Sequence, residues 1–126
     1  MIIIGHPWIK SHRFINVFSQ EDIQKSKPDD IVLLDELKNA HALASYCQTN
    51  QIAYAVTVST LKDALFANSL GASYMLCKEN DALQIQPVAQ EYLFDSRILV
   101  PIEDEKEIAI LVKNGIDGVI FSEAIV

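Results

Sequence analysis

Glycine and proline are scarce in this chain, four of each. That excludes collagen-like and low-complexity architectures. Cysteine is scarcer still: Cys47 and Cys77 sit in separate apolar runs, in neither a CxxC nor a zinc spacing. A disulfide framework is therefore not expected, and a reducing, cytoplasmic compartment is. No apolar run approaches the roughly 20 residues that span a bilayer. Residues 1–5 are apolar but lack a basic flank and end at His6-Pro7, so they read as a first strand and not as a signal peptide. Positive charge is also in deficit, with ten Lys and Arg against 17 Asp and Glu and a net charge of −7. The ten basic residues are scattered, without a stripe, so neither nucleic acid nor a membrane is expected as partner. No Gly-rich phosphate loop, G-x-S-x-G elbow or H-E-x-x-H helix occurs, and no cofactor or metal is expected.

What is present is apolar residues: half of the 126. This length and composition suit a single domain over residues 1–126 with a real core. Five short runs, at 31–34, 53–58, 74–77, 98–102 and 118–121, are continuously apolar, as strands covered on both faces are. Helical periodicity separates them. Leu37, Ala40, Leu43, Ala44 and Cys47 share one face; Leu61, Ala64, Leu65 and Phe66 form a second stripe; Ile108, Leu111 and Val112 form another. Thr60 with Asp63, and Asp104 with Glu107, have the capping-box spacing, and Gly71 and Gly115 stand where the helices should end. Pro87 should start or kink the helix between residues 81 and 93, with Val88, Ala89, Tyr92 and Leu93 as its buried side.

Residues 55–76 align without a gap onto residues 99–120, an offset of two units of about 22 residues each. Serial βα units of this length imply parallel strands. The ends break the pattern. Residues 14–18 read as a second strand, joined to the first by a linker too short for a crossover helix. No helix follows the final strand, and the apolar tail of residues 122–126 is expected to need cover, for instance from a second subunit.

Ligands in parallel α/β folds gather at the carboxyl ends of strands. Here that rim carries Asp35, Thr57, Ser59, Lys78, Glu103 and Asp104. Several carboxylates around one lysine could bind a cation or shift the lysine's pKa, but helix starts favour the same residue types for capping alone. Lys78 is the candidate for Schiff-base or phosphate chemistry, against a plain solvated lysine. His6 and His12 flank Trp8 and could form a small pocket or a metal site with a nearby carboxylate, or be ordinary surface.

Residues 27–35, Lys-Pro-Asp-Asp-Ile-Val-Leu-Leu-Asp, resemble the response-regulator receiver strand that ends in the phospho-accepting aspartate, here Asp35. Thr57 resembles that family's switch hydroxyl, and residues 71–78 resemble the stretch ending in its lysine, Lys78. The resemblance covers about residues 27–80 and implies a flavodoxin-like fold. Gly5-His6 stands where the acidic pair for Mg²⁺ belongs, and Glu79 replaces the usual proline, so the resemblance implies a pseudo-receiver acting through its surface. Residues 114–121 also look like a strand of a (β/α)₈ barrel, although five or so units are too few to close one without a partner or an open sheet.

The expectation is an α/β, three-layer domain with a mainly parallel sheet of five to seven strands. Its function is expected to be binding or interaction, non-catalytic and self-associating, as a homodimer or with another protein. The alternative is a small enzyme, or a protein binding a small molecule or phosphate, that uses the rim around Lys78.

Overall fold

The continuous apolar runs do become strands, and every pairing among them is parallel. A computed structural model describes all residues, 1–126. In chain order the elements are β1 (Ile2–Ile4), β2 (Phe14–Asn16), α1 (Gln20–Lys25), β3 (Ile31–Glu36), α2 (Leu37–Thr49), β4 (Tyr54–Thr57) and α3 (Leu61–Ser69). There follow β5 (Tyr74–Leu76), α4 (Glu79–Glu91), β6 (Arg97–Ile102), α5 (Glu107–Lys113), β7 (Gly118–Phe121) and a 3₁₀ turn at Ser122–Ala124. All seven strands form one sheet in the order β1-β7-β6-β5-β4-β3-β2. From β2 to β7 each strand lies beside its predecessor, so the order never reverses. There is consequently no switch-point crevice of the kind a doubly wound sheet offers to ligands.

The sheet curls on itself. Alternation sends Ile4, Phe14, Ile31, Leu33, Ala55, Leu76, Leu99 and Ile120 to one face, where they form a cluster that includes no helix residue except Ala124 of the 3₁₀ turn. The opposite face packs against α1 to α5 in a second, larger cluster. The α/β parallel sheet is as expected, with seven strands; helices cover one of its faces and the curl covers the other. A short parallel bridge closes the circle, with the Val126 amide donating to the Phe14 carbonyl at 2.8 Å and the Asn16 amide to the Val126 carbonyl at 3.1 Å. Ala124 and Ile125 therefore find cover within the chain, against the inner cluster, while Val126 stays exposed. Residues 122–126 also allow closure with fewer βα units than the sequence seemed to require. Gly118 permits the tight approach of β1 and β7, because a Cβ there would lie 2.7 Å from the Ile2 carbonyl and from Leu99 Cδ2.

Four helices end alike. Gln51, Gly71, Leu93 and Gly115 all have positive φ. The next residue in each case (Ile52, Ala72, Phe94, Ile116) donates its amide to a carbonyl five residues back. This is the Schellman motif, repeated, and it turns the chain into the next strand. Gly71 and Gly115 fill the role expected of them; Gln51 and Leu93 fill it without being glycine.

Three expectations need correction. Helix α4 does not begin near Pro87 but at Glu79, and continues across the proline to Glu91. Both Pro87 and Leu83, whose carbonyl the proline leaves unpaired, are exposed, so water can reach that carbonyl. The buried side of α4 is Ala82, Ile85, Gln86 and Ala89, whereas Tyr92 and Leu93 lie outside at its C-terminal cap. In α3 the buried residues are Ala64 and Ala67, while Leu61, Leu65 and Phe66 remain exposed. The small residues let the helix sit close to the sheet, and the bulky ones turn outward. Helix α5 likewise buries Leu111 but leaves Val112 exposed.

Candidate functional site

The carboxyl ends of the strands do form a common rim. Asp35 is the last residue but one of β3 and stands at a register shift, where Leu34 pairs with Val56 but Glu36 pairs with Thr57. That bulge makes Asp35 an extra residue in its strand. Thr57 ends β4 and pairs with Leu76 of β5, after which Cys77 leads to Lys78, the residue before α4. Asp35, Thr57 and Lys78 thus belong to three adjacent strand ends, with Ser59 in the loop after Thr57. Glu103 and Asp104 follow β6.

Among the six rim side chains only those of Asp35 and Asp104 make hydrogen bonds, each to a nearby backbone amide. The Asp35 carboxylate accepts the Glu36 amide at 2.8 Å. Glu107 reaches back to accept the amides of Glu103 and Asp104, both at 3.3 Å, and Asp104 accepts the Lys106 amide at 2.9 Å. Thr60 accepts the Asp63 amide at 3.1 Å, the expected cap of α3. Lys78 is exposed and takes part neither in the ion pairs of Arg13 with Asp30 and Lys38 with Glu36 nor in the contact between His6 and Glu105. None of the five surface hollows is lined by any of these six rim residues. The interior below the rim is filled by the inner cluster.

Beside the rim lies an arrangement the sequence did not reveal. His6 Nε2 meets Glu105 at 2.9 Å, while its Nδ1 accepts the Trp8 amide at 3.1 Å. The Nδ1 contact fixes Nε2 as the protonated nitrogen, donating to the carboxylate. The ring packs edge-on against Trp8 and Phe121, with centroids 5.3 and 5.6 Å away. Both ring nitrogens are occupied. His12 lies at the other end of the sheet, where Nδ1 meets the Asp29 carbonyl at 2.8 Å. The structure therefore separates the two histidines that might have shared a pocket, and no three His, Cys, Asp or Glu side chains converge on a metal position. Only tertiary structure joins His6 to Glu105; no local signal links residues so far apart.

The two thiols are buried, and burial pushes both up, Cys47 to about 11 and Cys77 to about 12, the latter helped by the nearby Asp81 carboxylate. Burial raises the Tyr54 phenol too, with Cys47 adding to it, and its hydroxyl donates to the Leu70 carbonyl at 2.7 Å. None of these groups is poised as a nucleophile.

The outer helical surface offers more room. Between α2 and α3 runs a groove of about 550 Å³ with Leu37, Phe66 and Leu70 as its apolar floor and Lys38, His41 and Lys62 among its walls. Phe66 is 56% exposed there, and Leu61, Leu65 and Ile110 add apolar surface on α3 and α5. No helix of the structure is long and apolar enough to cross a membrane. Compared with known proteins, the chain matches no family and no curated relative.

Proposed function

We propose that this protein is a non-catalytic interaction domain that works through its outer helical surface and associates with itself. One observation carries the reading: α3 and α5 turn Leu61, Leu65, Phe66 and Ile110 outward and pack inward through smaller or fewer residues. Helix α4, which lies between them in the order of the sheet, exposes Leu83 as well, and apolar side chains exposed across one helical surface are what protein–protein contacts bury. The state of the rim supports the same reading, since no hollow opens at it and its lysine is solvated. A pseudo-receiver form of the proposal draws on the adjacent strand ends bearing Asp35, Thr57 and Lys78. In that form, incubation with a small phosphodonor and Mg²⁺ leaves Asp35 unlabelled.

Sedimentation velocity over a micromolar concentration series tests the proposal. The native chain is expected to show a concentration-dependent rise in sedimentation coefficient. Leu65→Glu and Ile110→Glu should abolish it, and Lys78→Ala should not. A chain that stays monomeric throughout, or one whose association disappears with Lys78→Ala alone, overturns the reading.

A further inference from the structure

The basic residues are scattered in sequence but not in space. Four of the ten, Lys10, Arg13, Lys25 and Lys27, line two hollows that meet at Arg13 and Asp30. One, of about 480 Å³, lies against the outer face of β2 and is walled by Arg13, Asn16, Lys25, Ser26 and Lys27. The other, of about 550 Å³, is bounded entirely by polar residues, among them Lys10, Ser11, His12 and Arg13. The fold explains why they are there. No helix connects β1 to β2, so the ring of helices is interrupted beside β2, and the loop from Gly5 to Arg13 and the end of α1 border the gap.

We propose that this gap is a binding site for a small phosphorylated molecule. Three carboxylates lie nearby, and two are already engaged. Asp30, 8% exposed in its side chain, faces Arg13 Nε at 3.5 Å and accepts the Lys27 amide at 3.2 Å. Asp22 accepts the Phe18 amide at 2.9 Å. Asp29 stands on the Lys10 side, its carbonyl held by His12. The ammonium groups of Lys25 and Lys27 have no carboxylate partner, and Arg13 faces Asp30 through Nε, which leaves its terminal nitrogens for a ligand. A guanidinium fork beside two lysines matches the oxygens of a phosphoryl group in geometry and in charge. The chain as a whole carries net negative charge, whereas in the first hollow Arg13, Lys25 and Lys27 outnumber Asp22 and Asp30 by one, a local exception that favours an anion over other solutes. The second hollow is neutral overall, Lys10 and Arg13 balancing Asp29 and Asp30, but Lys10 there is free to meet a second anionic group of a ligand held at Arg13.

Isothermal titration calorimetry with pyrophosphate, and separately with inorganic phosphate, tests the assignment. Pyrophosphate is expected to bind more tightly than phosphate, and binding should weaken as salt rises. The double variant Lys25→Ala/Lys27→Ala should lose at least about tenfold in affinity, because both ammonium groups are free of structural contacts. Lys106→Ala/Lys113→Ala, remote from the gap, should bind like the native chain. Vesicles containing phosphatidylglycerol form a separate arm: sedimentation with them, but no heat with pyrophosphate, would move the ligand to a lipid surface and overturn the proposal. So would the absence of pyrophosphate binding at millimolar concentration, or an equal loss in the two double variants. Self-association through α3 and α5 is read separately and is indifferent to either outcome.

Discussion

The rings of Phe14 and Tyr74 lie 5.5 Å apart, centroid to centroid, although β2 and β5 are separated in the sheet by β3 and β4. In a flat sheet, strands three places apart would be separated by about 14 Å at the usual spacing. The contact therefore measures the curl. It also shows that the inner space is filled by side chains and is not a channel, which leaves the rim and the helical exterior as the surfaces where function can reside.

Closure of the circle should be energetically visible. Phe14 is fully buried and its carbonyl receives the Val126 amide. Phe14→Ala is expected to destabilise the fold by about 3–5 kcal/mol, the range for a large aromatic removed from a packed core. Ile125→Asp, at the bridge, should cost about 1–3 kcal/mol by placing a charge against the inner cluster. Urea unfolding followed by far-UV circular dichroism gives both values. Trp8, 91% exposed, is a poor reporter of this transition. If Ile125→Asp left the midpoint unchanged, the residues after β7 would not be closing the sheet.

How far the sequence reveals this fold depends on which force sets each element. The strands from β3 to β7 were legible because burial on both faces leaves continuous apolar runs, and Gly71 and Gly115 marked two helix ends because positive φ favours glycine. The phase of α3 was not legible. Counting bulky residues points to Leu61 and Leu65, whereas close packing on the sheet selects Ala64 and Ala67. Leu93 was read as core because it is apolar, but it occupies a helix-ending position whose geometry ignores its side chain. The rim could be located from strand ends alone, since capping places Asp, Glu, Ser and Thr there. The cationic gap could not, because Arg13 and Lys27 become neighbours only when β2 pairs with β3.

The repeated helix ending gives a paired test. Leu93 holds φ at 53° while 84% exposed, so its conformation is strained and its side chain gains little by burial. The left-handed region costs a non-glycine residue about 1–2 kcal/mol. After allowance for the greater freedom of glycine in the unfolded chain, Leu93→Gly should stabilise the protein by about 0.5–1 kcal/mol. Gly115→Ala is the converse: φ is 73°, and an added Cβ would meet only Gln90 Nε2, at 3.5 Å. With no steric clash, its expected loss of about 1 kcal/mol reports backbone strain alone. Thermal unfolding of the two variants beside the native chain should shift in opposite directions; shifts of the same sign would contradict the shared geometry.

The buried thiols set an alkaline limit. Cys47 and Cys77 keep their protons in the folded chain up to about 11 and about 12, whereas in the unfolded chain they ionise near 9.0. Above that lower value the native state binds more protons than the unfolded state, so stability falls as pH rises. The contribution is complete below pH 9.0 and is lost progressively up to the folded values. Each thiol can add a slope of at most about 1.4 kcal/mol per pH unit within that window. Urea midpoints measured across it should decline, and Cys47→Ala/Cys77→Ala should show a shallower decline even if its absolute stability is lower. Tyr54, which is also held protonated, remains in that variant and keeps the decline from vanishing. Asp81→Asn should reduce the Cys77 share alone, because the Asp81 carboxylate is the second cause of its shift. In the folded protein at neutral pH neither thiol should react with a disulfide-exchange reagent, while both should react in urea. Rapid labelling of the native chain would mean that the thiols are reached without unfolding, and the alkaline decline would then need another origin.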